Sequence, residues 1–503
     1  MSRHPTRLVA ALGVIAALLT VGIGRGPSAL AATSTPTAGT LAWKACGGGF
    51  QCATLSVPVD WSQPTGPQVG IAVSRRLASQ PSERIGSLVV NFGGPGDPGA
   101  ESLRQGGAAS LPAAVRDRFD LVSFDPRGTG MSHPIACISD PTYDAVLASS
   151  PTPQNLSQLQ SFYAGTNGPV DMVQACINAQ GSWLADVGTR NTARDMDALR
   201  AALHEPKLTY LGYSYGTVLG AVYAQMYPTR VRAMVLDGAV NLSDTAASEL
   251  HDNAEGFEQA LDAFLANCAA SVKCPYHHGG DPQAALAALQ QRFESGLEVP
   301  VSDGRQAGAT LFYLALAGGL YDKAQGWPFL ASALAAVDRG VGDGIAELAD
   351  SLTGRDPNGH YDDLQQALNA IRCDDRFDSL QSFNDYVATY QQYSQEFPIF
   401  GAFLSASPLG CDPRLPAPPV AEQVGDVHVS GTAPILIVGT TADPATPYNG
   451  AIDMQHRVAG SRLLTLVSTE HAGYGKGIPC IDNAVDTYFI DRVLPRAGLR
   501  CRP

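Results

Sequence analysis

The chain has 503 residues, 45% hydrophobic and 16% charged, which excludes a disordered polymer and exceeds what one compact core holds. Its net charge is −14, from 33 basic and 47 acidic residues, which argues against nucleic acid or an anionic membrane surface as a partner.

The first 31 residues read as an export signal. Arg3, His4 and Arg7 form a basic start, Leu8 to Ile23 an apolar stretch, and Ala29-Leu30-Ala31 a small-x-small cleavage site. The apolar run is short for a membrane span, and Arg25 and Pro27 interrupt it, so no stable membrane anchor is expected. Losing Arg3, Arg7 and Arg25 would take the charge from −14 to −17. Residues 32–38 are small and polar, a flexible leader to the mature fold.

Residues 52–59 and 69–75 have the pattern of short strands, with a Pro- and Gly-bearing turn over 61–67. Residues 87–92 (SLVVNF) form an apolar strand that ends in Gly93-Gly94-Pro95-Gly96, and 119–124 (FDLVSF) another that ends in Asp125-Pro126-Arg127. Thr192 to Asp195 resembles a capping box with Asp in the Glu position, opening a helix over 193–203. Next comes Leu208 to Gly220: a buried strand, Gly212-Tyr213-Ser214-Tyr215-Gly216, and a small-residue helix start. Gly-x-Ser-x-Gly between a strand and a helix is the nucleophile elbow of an α/β-hydrolase. Residues 231–236 (VRAMVL) form a further strand ending at Asp237-Gly238. Apolar strands alternating with helices indicate a mostly parallel sheet covered on both faces.

From about residue 241 the pattern turns to amphipathic helices, among them 254–267, 282–294, 307–321, 328–337 and 362–371. After Pro416-Ala417-Pro418-Pro419 the strands return at 434–439 (PILIVG) and 463–467 (LLTLV), followed by a closing helix over 483–493. The expected organisation is an α/β-hydrolase core over 39–240 and 425–503, interrupted by a mainly helical cap over 241–424.

A serine hydroxyl is a weak nucleophile until a base takes its proton, and in this fold the acid and the histidine follow the serine in that order. Asp443 lies just past the PILIVG strand and His471 just past LLTLV. Alone, Asp443 also reads as a turn former before Pro444, and His471 as a solvated loop residue. Their joint order after late strands points to a triad of Ser214, Asp443 and His471. The matching oxyanion hole takes the backbone N–H of Tyr215 and one from Gly94 or Gly93. Asp125 and Arg127 read as a structural tie between loop and core.

Ten cysteines in an exported chain favour disulfides. Many connectivities are open, and the simplest pairs neighbours: Cys46–Cys52, Cys137–Cys176, Cys268–Cys274, Cys373–Cys411 and Cys480–Cys501. No metal and no cofactor are expected. There is no Cys-x-x-Cys, His277-His278 reads as a surface pair, and no Gly-Lys-Ser/Thr follows the glycine loop.

Taken together, Asn91-Phe92-Gly93-Gly94-Pro95-Gly96, Asp125 to Ser132, Gly212 to Thr217, Asp443-Pro444-Ala445-Thr446-Pro447 and the Cys480…Cys501 pair resemble one family. It is the secreted tripeptidyl-aminopeptidase-like branch of the prolyl aminopeptidase family of α/β-hydrolases. The chain departs from the family pattern in Asn91-Phe92, in Asp97-Pro98, and in Glu470-His471-Ala472-Gly473, where Gly-His-Gly is commoner. The resemblance implies release of tripeptides or other short peptides from free N-termini. Such a substrate needs an anionic site for its ammonium, and Glu249, Asp252 and Glu255 at the start of the cap are the candidates. The same three acids read equally as a solvated helix face. An exported carboxylesterase with the same triad is the alternative, because acyl-enzyme chemistry is shared. A catalytically dead binding protein is a third reading, which intact Ser214, Asp443 and His471 oppose. The expected partner is thus a peptide, or a small ester, and nothing in the sequence sets an oligomeric state.

Overall fold

A computed structural model of the chain describes residues 39–148, 153, 156–164, 169–375, 383–406, 411 and 414–503. The expected signal (1–31) and leader (32–38) lie outside them. The described residues from 39 onward form one compact unit.

The sheet begins with β1 (Lys44–Ala45), β2 (Gln51–Pro58) and β3 (Gln68–Arg76), joined antiparallel. The remaining strands are β4 (Gly86–Asn91), β5 (Phe119–Phe124), β6 (Leu208–Tyr213) and β7 (Val231–Asp237). A two-residue hairpin, β8 (Val299–Pro300) with β9 (Gln306–Ala307), stands apart. β10 (Leu436–Thr440), β11 (Arg462–Leu466) and β12 (Arg500–Cys501) complete the sheet. Its order is β1-β2-β3-β5-β4-β6-β7-β10-β11-β12, and every pairing from β5 to β12 is parallel.

Strands this apolar are stable only if both faces are covered. In β4, Val89 packs into one hydrophobic layer while Leu88 and Val90 pack into the other. β10 repeats the arrangement, with Ile437 on one side and Leu436 and Val438 on the other. Each such side chain removed from water is worth about 1.5–3 kcal/mol. The register then aligns the carboxyl ends: Asn91 pairs with Gly212, Tyr213 with Asp237, and Val438 with Asp237. The loops leaving these ends converge along one edge of the sheet.

The helix over Thr189–Ala202 starts three residues before the expected capping box, and no side chain caps it. Asp195 is taken by Arg127 instead, in an ion pair of 2.6 Å whose side chains are both fully buried. Arg127 also donates to the carbonyls of Pro58, Val59 and Asp186. Asp125 does not meet Arg127 but accepts the N–H groups of Ala100 and Met131.

Between β7 and β10 the chain is mainly helical. Ala246–Ala269, Pro282–Glu294, Ala309–Leu320, Gly326–Val337 and Asp343–Thr353 share a hydrophobic core built on Phe257, Phe264, Phe312, Leu316 and Leu334. Helices at Asp140–Ala148, Leu156–Ala164 and Pro169–Gln180 precede β6. Asp144 of the first receives Arg355 at 3.1 Å and the Tyr361 hydroxyl at 2.7 Å, so this earlier excursion is tied to the later one. Among the described residues no helix is long and apolar enough to cross a membrane.

Candidate active site

Ser214 sits between β6 and the helix Tyr215–Met226 with φ 53° and ψ −122°. A non-glycine residue with positive φ is strained, and the surroundings hold it there. Its N–H donates to the Asp237 carbonyl at 2.9 Å, and Thr217 Oγ1 donates to its carbonyl at 2.7 Å. The strand and helix pass so close that a Cβ on Gly212 would lie 2.3 Å from the Gly216 carbonyl oxygen. The Tyr210 hydroxyl donates to that same oxygen at 2.8 Å and closes the turn from below.

Past β10, Asp443 is buried and its carboxylate is saturated. Oδ1 accepts the N–H groups of Ala445 and Thr446 at 3.0 and 2.9 Å, and Oδ2 that of Ala472 at 3.1 Å. His471 Nδ1 lies 2.8 Å from the same Oδ1. An oxygen that already serves two donors acts as an acceptor toward the imidazole, so Nδ1 carries the hydrogen and Nε2 keeps its lone pair. Thr446 Oγ1 stands 3.4 Å from Nδ1 on the other flank.

Asp237, at the end of β7, is a residue that sequence reasoning missed. Its carbonyl holds Ser214, and its buried carboxylate accepts the N–H groups of Gly473 at 3.1 Å and Tyr474 at 2.7 Å. One residue therefore anchors both the serine turn and the loop bearing the histidine. Burial pushes its carboxyl up to about 6, against the pull of those N–H groups. Its position after a strand was the available signal.

The Gly93-Gly94 loop presses on the serine. A Cβ on Gly93 would lie 2.9 Å from the Tyr213 carbonyl oxygen and 3.0 Å from Ser214 Cβ. The Gly93 N–H is taken by Asn91 Oδ1 at 3.1 Å. Among the described residues, the N–H groups of Gly94 and Tyr215 have no protein acceptor. Of the two glycines expected to serve the oxyanion hole, Gly94 therefore keeps an open donor.

Ser214, Tyr215 and Gly94 line a cavity of about 210 Å³. Its walls include apolar Val218, Leu250 and Leu368, and the polar residues Asp244, Glu249, Asp252, Asp375 and Arg372. Glu249 and Asp252 thus reach the cavity, while Glu255, further along the same helix and bonded to Gln259 at 3.0 Å, is not in its lining. Glu249 meets Arg372 at 2.7 Å, and Asp252 accepts from Asn449 at 2.6 Å. On the floor, Asp375 accepts the Thr189 hydroxyl at 2.5 Å, which in turn meets the Tyr215 hydroxyl.

The ten cysteines lie in five bonded pairs, 46–52, 137–176, 268–274, 373–411 and 480–501. His277 contacts the Cys268 carbonyl and His278 pairs with Asp338, so the two do not share a site.

Comparison with known proteins gives this arrangement a family. A model described as "alpha/beta hydrolase fold" matches residues 86–331, and one described as "TAP-like protein" matches residues 396–501. The chain is 37% identical over 469 residues to serine protease Hip1 of Mycobacterium tuberculosis, covering 90% of this chain and 88% of that protein. The chain belongs to the TAP-like α/β-hydrolases. It is a serine hydrolase. Two further relatives frame its chemistry. Carboxylesterase B of M. tuberculosis is 34% identical over 463 residues, with 90% of the hydrolase and 86% of the relative covered. Tripeptidyl aminopeptidase of Streptomyces lividans is 30% identical over 493 residues, with 95% and 89% covered. Peptidase and esterase names thus occur on one framework.

Proposed function

We propose that the hydrolase is an exopeptidase that releases tripeptides or other short peptides from free N-termini, with Ser214, His471 and Asp443 as its catalytic triad. Ser214 Oγ attacks the scissile carbonyl carbon and passes its proton to His471 Nε2. The N–H groups of Gly94 and Tyr215 receive the developing oxyanion. The tetrahedral intermediate collapses, the leaving amine takes the proton from Nε2, and an ester to Ser214 remains. Water then repeats the sequence, with Nε2 as base and Ser214 as leaving group. Asp443 holds the imidazole in the required tautomer and balances the imidazolium that forms.

The observation that carries the peptide reading is the charge of the cavity. Among the described residues, four carboxylates, Asp244, Glu249, Asp252 and Asp375, line it with one cation, Arg372. That excess suits an ammonium group and disfavours a neutral ester of the same size. The names of two relatives, serine protease and tripeptidyl aminopeptidase, support it. The name of a third, carboxylesterase B, supports the alternative of a small-ester hydrolase with the same triad. The reading includes an exported enzyme, in keeping with five disulfides, and a helical cap over 241–424 that restricts the site to chain ends.

The test offers the purified enzyme aminoacyl, dipeptidyl and tripeptidyl anilides, each free and N-blocked, together with short acyl esters. Turnover of free tripeptidyl anilides above blocked ones is expected. Turnover of esters with none of any peptide overturns the peptidase reading and leaves the esterase. Full turnover by Ser214→Ala overturns the mechanism itself.

A further inference from the structure

The loop that bears His471 is held from two sides. From the core, Asp443 takes the Ala472 N–H, and Asp237 takes those of Gly473 and Tyr474. From the helical region between β7 and β10, the segment Tyr321–Lys323 reaches down onto it. The Tyr321 carbonyl accepts the His471 N–H at 3.1 Å, and the Tyr321 ring stands edge-on to the imidazole with centroids 5.1 Å apart. Next to it, Glu470 Oε2 accepts the Lys323 N–H at 3.2 Å. Lys476, at the far end of the loop, closes the clamp by meeting Glu470 at 3.4 Å and Asp322 at 3.2 Å.

A buried carboxylate on one side of His471 and a strained backbone on the other mark this loop as one that its neighbours must hold. Glu470 is only 8% exposed, although it is a carboxylate on a loop, and it gives up water for one backbone N–H and one ammonium. Ala472 has φ 60°, a left-handed conformation that costs a residue with a Cβ about 1–2 kcal/mol. Such a backbone persists only where neighbours over-determine it. The core side fixes residues 472–474 and the His471 imidazole, which Asp443 holds at 2.8 Å, while the Tyr321–Lys323 side fixes the His471 backbone N–H and the Glu470 carboxylate.

We propose that Glu470 is a positioning residue through which the Tyr321–Lys323 segment sets the place of His471. The proposal rests on His471 being the general base toward Ser214. It gives a function to one residue of the Glu470–Gly473 stretch that stands out in the sequence as a departure from the family pattern. Since Tyr321 also lines the cavity, the wall that meets substrate and the seat of the base are one piece of chain.

The experiment compares wild type with Glu470→Ala, Glu470→Gln and Lys476→Met. It reads the rate at which a fluorophosphonate labels Ser214, and kcat and KM on the best substrate of the panel. Displacing a catalytic group by about 1 Å costs on the order of a hundredfold in rate. Glu470→Ala is expected to slow labelling and lower kcat about 10- to 100-fold, with KM changed less than about threefold. Glu470→Gln keeps an acceptor for the Lys323 N–H and loses the ion pair, so it should lose less than Glu470→Ala, about 3- to 10-fold, and match Lys476→Met. If Glu470→Ala does not fold, Glu470→Gln and Lys476→Met still decide: a shared loss of about 3- to 10-fold in labelling rate supports the proposal, and wild-type rates in both overturn it. Wild-type labelling in Glu470→Ala, or a change confined to KM, overturns it as well. A wild-type enzyme that the probe fails to label would instead overturn the serine–histidine reading beneath it.

Discussion

Replacing Asp443 by asparagine removes a charge and changes one acceptor into a donor, and the structure says which one. Oδ1 serves three donors, Ala445 N–H, Thr446 N–H and His471 Nδ1, whereas Oδ2 serves only Ala472 N–H. An amide at 443 therefore turns its oxygen to the Oδ1 side and its NH₂ toward Ala472. The tautomer of His471 survives, but two N–H groups now face each other beside a residue already at φ 60°. Leaving a buried donor unsatisfied costs about 1–3 kcal/mol of stability. The imidazolium that forms in the transition state also loses its counter-charge. Where the wrong tautomer results as well, the corresponding serine protease variant loses about 10⁴ in kcat, some 5.5 kcal/mol. With the tautomer retained, Asp443→Asn should lose about 10² to 10³ in kcat, or about 3–4 kcal/mol of transition-state stabilisation, with KM nearly unchanged. Steady-state kinetics on the best substrate, with urea unfolding of the same samples, measures both effects. A kcat within tenfold of wild type would refute the electrostatic role, and unchanged stability would refute the placement of the amide.

Arg127→Ala leaves Asp195 buried without its cation and strips donors from three carbonyls. A stability loss of about 3–5 kcal/mol is expected in urea, with kcat per folded molecule unchanged; a catalytic defect without unfolding would contradict the structural role. Asp374, held by the Gly188 N–H at 2.5 Å, is pushed up to about 8 by burial and by neighbouring Asp375. Its folded form thus keeps a proton that the unfolded chain has lost above about pH 4. Stability from this group is full below pH 4 and falls as pH rises toward 8, by up to about 1.4 kcal/mol per pH unit. Asp374→Asn should flatten that fall in urea titrations at pH 5, 7 and 9, and curves parallel to wild type would refute it. Cys373–Cys411 closes a span with a sequence separation of 38 residues beside the cavity. Its double serine variant should lose about 2–4 kcal/mol, measured by urea unfolding, and an unchanged midpoint would contradict a constraint on the unfolded chain.

What the sequence made legible follows from range. The elbow, the strands that precede Asp443 and His471, and the neighbour pairing of cysteines depend on residues close along the chain. Local spacing reports them, because a strand followed by a tight turn has its own composition. Asp237 was opaque for the opposite reason: the N–H groups it serves lie 236 and 237 residues further on, and they are backbone, which no side-chain pattern marks. Thr192 to Asp195 misleads because a local cap and a buried partner compete for the same carboxylate, and Arg127 offers the stronger contact. The acids of the cavity were separable only with the helix in view. Glu249 and Asp252 reach the space above Ser214, and Glu255 shares their helix without reaching it.

That division bears on why peptidase and esterase names occur among relatives of one chain. In the proposed mechanism the groups that act on the carbonyl leave strand ends of the sheet, Ser214 after β6, Asp443 after β10 and His471 after β11, and Asp237 at the end of β7 anchors two of their loops. Parallel pairing aligns the strand ends from which these loops leave, Tyr213 with Asp237 and Val438 with Asp237, so on the proposed reading the acyl-transfer geometry rests on the sheet and is common to either substrate. The groups that meet the rest of the substrate come from elsewhere. Glu249 and Asp252 stand on Ala246–Ala269, and Arg372 and Asp375 on Leu364–Asp375. If the cavity takes an ammonium as proposed, a change of one charge there should alter its binding while leaving the carbonyl chemistry in place. Each acid of the cavity is already engaged: Arg372 pairs with Glu249, Asn449 donates to Asp252, Thr189 to Asp375 and Asn241 to Asp244. On the proposed reading, selectivity between a peptide and an ester thus depends on these helices and not on the sheet.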